Sequence, residues 1–322
     1  MSWSDVNVSE EKWREILSKI KLNSYKNLNT GYSYSHKKIK NIKLIYKIDQ
    51  KILSCALIKY YKIYNLVIIN IDGGIEGLVN KSIINSLILF FKKKYKFFLI
   101  KIDQQIIKYN ELFYNLGFRD LSKRKRFNLS KNFDQINNEL DLSNSLSKYW
   151  RRNAKRSKRH SFTIKNKVIF DKEIVMLFHQ LSEIKKIRNY YDKDVLINIF
   201  KNFKDNIFMS IAILNNKICS IRAIIYFDNK CWDLLSATNL EGRKTYASYA
   251  VTYEIMKFCI KNNIKNYNLS GVDLINNISV YNFKKGMGSN LIEISNEKVY
   301  SNYSFLNNFF RLLIKFKNYL NR

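Results

Sequence analysis

The sequence predicts a mixed α/β protein built from two similar units in tandem. Three observations carry that expectation. Hydrophobic spacing switches repeatedly between the two-residue period of strands and the 3.6-residue period of helices. The order strand hairpin, strand, helix, strand, helix, strand occurs twice, at similar size, as an internal duplication does. The 322 residues, 46% of them apolar, suffice for two domains of ordinary size with buried cores. Residues 1–145 are expected to form the first domain and residues 146–322 the second.

In the first half, Trp13, Ile16, Leu17 and Ile20 mark one face of a helix over residues 10–22. Ile42–Ile48 and Ile52–Tyr60 read as a hairpin around Asp49-Gln-Lys51, with a third strand at Leu66–Ile71. Asp72-Gly-Gly-Ile-Glu-Gly77 breaks the run. A helix over Val79–Lys94, a strand over Phe97–Ile102 and a helix over Gln104–Leu116 follow, the last capped by Gly117. Arg124–Leu129 reads as the strand that closes the unit.

The second half repeats the plan behind two helices, Glu173–Ser182 and Val195–Phe203. Phe208–Leu214 and Ile218–Phe227 form a hairpin, Cys231–Ala237 a strand, Thr245–Lys261 a helix and Tyr267–Leu269 a strand. A short helix ends at Gly286, and Leu291–Asn296 closes the unit. Between the halves, Lys148–Arg159 carries seven basic residues and no acid. As a helix it lines up Arg152, Lys155 and Arg159 on one stripe, a face that suits RNA phosphates or plain solvent. The C-terminal stretch 305–322 reads as an amphipathic helix with Phe305, Phe309, Leu313, Phe316 and Leu320 on its apolar face. It is expected to dock on the core; a peripheral contact with a membrane surface is the alternative.

Composition narrows the function classes. No run of 18 uncharged apolar residues marks a transmembrane helix, and the N-terminal residues do not read as a secretory leader. Four scattered cysteines and three distant histidines give no metal-binding spacing and fit a reduced, cytoplasmic setting. The net charge is +31, from 57 basic and 26 acidic residues. The chain has no proline and few glycines and is rich in Lys, Ile and Asn, as an AT-rich genome dictates. We assign about half of the excess charge to that bias, relative to average composition. The remainder calls for an anionic partner. The nine glycines cluster at 73–77 and 271–288, where the backbone is expected to need them.

Within that frame the motifs resemble the Fem-type aminoacyltransferases, whose fold is two acetyltransferase-like (GNAT) domains in tandem. Asn268-Leu-Ser-Gly-Val-Asp273 followed by Val280-Tyr-Asn-Phe-Lys-Lys-Gly-Met-Gly288 is similar to the family's strand-end Gly-(Gly/Val)-Asp and its Phe-Lys-Lys-Gly-(Phe)-Gly signature. Ile69-Asn-Ile-Asp-Gly-Gly-Ile75 resembles its Ile-x-x-Gly-Pro, and Trp150-Arg-Arg-Asn-Ala-Lys155 its Arg-Arg-Asn stretch. Thr30–Lys38 is weakly similar to the family's entry segment. No coiled-coil insertion interrupts the second half.

The resemblance implies transfer of an amino acid from aminoacyl-tRNA to an amine on a nucleotide- or lipid-linked cell-envelope precursor, at the inner face of the membrane. It implies no cofactor and no metal, and a monomer is expected. Attack of an amine on an already reactive ester needs positioning and oxyanion stabilisation. Lys284 or Lys285 supplies the positive charge in this reading, and Asp273 orients the amine or caps a helix. Gly271, Gly286 and Gly288 permit close approach. The family holds its precursor's diphosphate with an N-terminal lysine and an arginine-plus-tyrosine segment, which implies Lys37, Lys38, Arg188, Tyr190 and Tyr191 here. Acetyl-CoA enzymes cradle pyrophosphate in a glycine-rich turn at a helix N-terminus. The equivalent stretch, Arg243-Lys-Thr-Tyr-Ala-Ser248, keeps Arg243 but lacks the glycines. Two alternatives stay open: an acyl-CoA-dependent N-acyltransferase acting on an amino sugar of a surface polysaccharide, and a non-catalytic RNA-binding protein.

Overall fold

The structure, a computed structural model, describes residues 2–28, 40–166, 172–185 and 191–303. Lys37, Lys38, Arg188, Tyr190 and the expected C-terminal helix lie outside the described residues. Contacts divide the chain into two compact units, residues 1–126 with 293–322, and residues 127–292. The expected boundary after residue 145 falls inside the second of these.

The first stretch of chain runs β1 (Ser2–Asp5), α1 (Glu10–Ile20), β2 (Lys40–Ile48), β3 (Lys51–Ile63), β4 (Leu66–Ile71), β5 (Glu76–Gly77), α2 (Lys81–Lys94), β6 (Phe97–Ile102), α3 (Asn110–Asn115) and β7 (Arg119–Asp120). Ser9 and Asn80 cap α1 and α2, each side chain accepting a first-turn N–H. The 3.6-residue spacing puts Ile83, Ile84, Leu87, Ile88 and Phe91 of α2 on one buried face. Each such side chain contributes about 2 kcal/mol on burial. They pack against Ile69 and Ile71 of β4 and Phe98 and Ile100 of β6. The helix expected over Gln104–Leu116 is shorter, a 3-10 turn at Ile107–Tyr109 leading into α3.

The chain continues through β8 (Arg126–Asn132), α4 (Glu139–Ser145), α5 (Lys148–Ser157), β9 (Thr163–Asn166), α6 (Lys172–Lys185), α7 (Lys193–Asn202), β10 (Ile207–Leu214), β11 (Lys217–Phe227) and β12 (Lys230–Thr238). It then forms α8 (Leu240–Lys244), α9 (Ala247–Lys261), β13 (Asn266–Val272), α10 (Ile278–Gly286), β14 (Asn290–Ile294) and β15 (Lys298–Ser301).

The duplication is visible in the topology. In the first sheet β2, β3 and β4 are antiparallel neighbours and β6 lies parallel beside β4, after the crossover helix α2. In the second, β10, β11 and β12 are antiparallel and β13 lies parallel beside β12, after α9. The closing strands differ from expectation. The strand predicted at Arg124–Leu129 is β8, and it pairs with β13 in the second sheet. The corresponding place beside β6 goes to β15, which follows the second unit in sequence. Among the described residues the sheet orders are β1-β2-β3-β4-β6-β15-β7, with β5 on β3, and β14-β8-β13-β12-β11-β10-β9.

β15 is therefore part of the first unit's core. Val299 is fully buried, and Tyr300 packs on Phe98 and Phe118. A chain ended after Ile294 is expected to lose the first unit's cooperative unfolding or to aggregate through the bared edge of β6. Thermal unfolding of this truncated protein, followed by circular dichroism, checks this; an unchanged transition would show that β15 is dispensable.

Candidate functional site

The second unit has an opening in its sheet. Parallel β12 and β13 pair only over Lys230–Trp232 and Asn266–Asn268 and then separate. In the first unit β4 and β6 stay paired along six residues each. Ligands of α/β sheets bind beyond the carboxyl ends of adjacent parallel strands, so the opening in the second unit is the natural site.

Lys284, buried on α10, reaches into this opening and donates to the carbonyls of Leu269 and Gly271 on β13. Its ammonium lies 4.0 Å from the Asp233 carboxylate of β12. Burial pushes the Lys284 amine down from its usual value; Asp233 opposes this, and Arg222 and Lys185 add to it. Asp233 is itself gripped by the fully buried Arg222 of β11, through bonds of 2.9 and 2.7 Å. The Tyr267 hydroxyl donates to Asp233 at 3.1 Å and accepts from Arg222 at 3.1 Å. Arg222 also donates to Thr252 on α9. Burial opposes charge on Arg222, but Asp233 overrides it and holds the guanidinium protonated.

The two adjacent lysines do different things. Lys285 is exposed and donates to the Ser289 carbonyl, closing the turn after α10. Asp273 accepts from the backbone N–H groups of Ile275 and Asn276 and holds the turn before α10. The cap of α10 itself is Asn277.

The glycines sort by geometry. Gly288 has φ +75°, and a Cβ there would sit 2.2 Å from the Ser145 carbonyl oxygen. Gly286 packs on α5, where a Cβ would meet Ser147 and Trp150 at 3.1 Å. Its constraint is helix packing. A Cβ at Gly271 would make only ordinary contacts, 3.8 Å from Asn128 and 3.9 Å from the Phe127 carbonyl oxygen, and the positive φ falls on its neighbour Ser270. The buried Lys131 of β8 donates to Ser145 and to the Met287 carbonyl, tying the turn to the end of α4. Burial pushes its amine down to about 8.

Helix α5 covers the space between α9 and α10. Trp150 lies against Tyr249 and Phe283, with ring centroids 5.1 and 6.0 Å away. Arg156 donates to the Tyr246 hydroxyl. Tyr246, at φ 60°, opens α9 in the left-handed conformation that glycine favours. Arg243 is exposed on α8, one turn earlier. The expected stripe on α5 divides. Lys155 lines a cavity of about 500 Å³ together with Arg151, Lys158, Phe162 and Tyr253, whereas Arg152 is exposed beside the Tyr149 ring and Arg159 is exposed at the helix end. Tyr191 packs its ring on Phe178 of α6.

The first unit has its own polar cluster. Asp103, at the end of β6, is buried between Arg126 at 2.9 Å and Lys26 at 3.3 Å. Burial raises its carboxyl, but these two cations outweigh that and hold it below the usual range. Glu76 is buried and accepts from Asn23, Ser24 and Asn27, with burial pushing its carboxyl up. Sequence reasoning missed Arg222, Asp233, Asp103 and Lys131. For Arg222 and Asp233 the available signal was a charged residue inside an apolar strand run, a costly placement unless paired.

Among the described residues no group of His, Cys, Asp and Glu is arranged to hold a metal ion, and no helix is long and apolar enough to cross a membrane.

Residues 219–297, the stretch that holds Arg222, Asp233 and Lys284, match the FemAB family. No curated protein matches the chain. The solved structure of FemX is similar over 96% of this chain and 100% of its own, at TM-score 0.79 and 13% identity. The L-PGS of Bacillus licheniformis is similar over 94% of this chain and 96% of its own, at TM-score 0.57 and 14% identity. A tandem GNAT protein from the clavulanic acid biosynthesis pathway is similar over 93% of this chain and 98% of its own, at TM-score 0.55 and 6% identity. The fold is thus the tandem GNAT-like one. Within that fold, residues 219–297 are similar to the FemAB family.

The glycine geometry makes a differential prediction. Gly288→Ala should destabilise the protein by about 2 kcal/mol or more, and Gly271→Ala by less than about 0.5 kcal/mol. Urea unfolding of the two variants measures both. Equal effects would contradict the assignment of backbone strain to Gly288.

Proposed function

We propose that this chain is an aminoacyltransferase of cell-envelope synthesis, acting at the cytoplasmic side of the membrane. In this reading it moves an amino acid from aminoacyl-tRNA to an amine on a nucleotide- or lipid-linked precursor. The observation that carries the reading is Lys284, a buried cation at the open end of two parallel strands, within the stretch that matches the FemAB family. The acceptor amine attacks the ester carbonyl, and the new oxyanion gains the Lys284 ammonium as its partner. Two of the ammonium's three N–H bonds go to β13 carbonyls, which leaves one for the oxyanion. As the carbon–oxygen ester bond breaks, the amine's proton passes to the departing ribose oxygen, so no separate base is required.

Two observations favour a tRNA donor over acyl-CoA. The turn before α9 lacks glycines, and the side chains of α5 fill the space between α9 and α10. The cavity beside α5 combines three cations with the aromatic residues Phe162 and Tyr253, as single-stranded nucleic-acid sites do.

Lys284→Met is expected to lower single-turnover transfer about 100-fold or more, with substrate binding changed far less. Lys285→Met should keep turnover within a few-fold. Full turnover in Lys284→Met would remove the proposed role. For the donor, the triple change of Arg151, Lys155 and Lys158 to Gln should weaken tRNA binding. It should also flatten the slope of log affinity against log salt by up to about three phosphate contacts' worth. An unchanged slope would return this face of α5 to solvated surface.

A further inference from the structure

We propose that the Arg222–Asp233 pair is a positioning device that sets the charge and place of the Lys284 ammonium. The inference rests on the reading of Lys284 as the residue that meets the oxyanion.

The argument begins with a bulge. β11 and β12 pair antiparallel, with Ala223 opposite Leu235 and Ile224 opposite Asp233, so Leu234 is an extra residue on β12. Residues directly opposite one another point to the same face of a sheet. Without the bulge Leu234 would face Ile224, and Asp233 would point to the other side. The bulge turns Asp233 onto the face that carries Arg222. It does so one residue beyond the last pair of β12 with β13, where the strands begin to separate.

There Asp233 serves two cations unequally. Arg222 takes both carboxylate oxygens, while Lys284 stands at 4.0 Å. The carboxylate thus stabilises the lysine's charge without seizing its N–H groups, which stay on the β13 carbonyls and towards the opening. Ser270 donates to the Asp233 carbonyl and ties the mouth of β13 to β12. The charged and titratable groups around the amine are Asp233 from β12, Arg222 from β11, Tyr267 from β13 and Lys185 from α6. On its own helix, Lys285 is committed to Ser289.

The sign of each perturbation follows. Removing the Asp233 charge removes a stabiliser of the ammonium, so Lys284 should deprotonate at lower pH. Removing the Tyr267 hydroxyl strips a donor from Asp233 and concentrates its charge, so Lys284 should deprotonate at higher pH. The full chain labelled with 13C at lysine Cε reports this titration by NMR, with the signal assigned by its loss in Lys284→Met. Asp233→Asn should move the midpoint down by about one pH unit or more. Tyr267→Phe should move it up by a few tenths. The alkaline limb of the transfer rate should move with each.

A folded Asp233→Asn protein with an unmoved or raised midpoint would overturn the proposal. Should Asp233→Asn fail to fold, Tyr267→Phe decides: a midpoint that stays or falls overturns it. Failure of the oxyanion reading is a separate outcome. Lys284→Met would then keep its turnover while the NMR shifts in the other two variants persist.

Discussion

The second unit depends on satisfying the backbone where β12 and β13 part. Two parallel strands that separate inside a protein leave carbonyl and amide groups without their ladder partners, and such groups are costly to bury unpaired. Lys284 answers two of these carbonyls from outside the sheet, and Ser270 ties a third, on β12, across the gap. The rest follows from that choice. A buried ammonium needs a carboxylate nearby, which Asp233 provides. Asp233 in turn needs donors of its own, which Arg222 and Tyr267 supply. Lys284 reaches the gap because α10 is held in place. Gly286 lets α10 lie against Ser147 and Trp150 of α5, and Lys131 fixes the following turn through the Met287 carbonyl.

The two units show how one topology serves different ends. The first keeps β4 and β6 fully paired, and its strand-end acid, Asp103, is locked between Lys26 and Arg126. The second opens its corresponding strands, and the acid at the corresponding strand end, Asp273, is spent on turn geometry. In the proposed reading the reacting charge lies one strand over, on Lys284, which Asp233 steadies.

Much of this was legible in the sequence. Periodicity located the longer strands and helices, because an element that packs on one face advertises it, while β1, β5, β7, β9, β15, α4 and α8 went unread. Phe283-Lys-Lys-Gly286 was legible as a motif, whereas Asp273, read as an amine-orienting group or a helix cap, holds the turn before α10, and Asn277 is the cap. What was hidden was pairing. Nothing local announces that β8 joins the second sheet or that β15 returns to the first, since strand partners are chosen by packing across the whole chain. The Arg222–Asp233 pair was hidden for a related reason. The two residues are brought face to face by a bulge at Leu234 that has no sequence signature. The glycine argument succeeded at Gly288, which needs its left-handed backbone, and failed at Gly271, where Ser270 takes that conformation.

The central claim is that the opening in the second unit carries out acyl transfer from a charged tRNA. The direct measurement incubates the full chain with an amine-bearing cell-envelope precursor and either aminoacyl-tRNA or acyl-CoA, then reads the precursor's mass. The account predicts a gain of one aminoacyl residue with the charged tRNA and none with acyl-CoA. Transfer from acyl-CoA alone would contradict it.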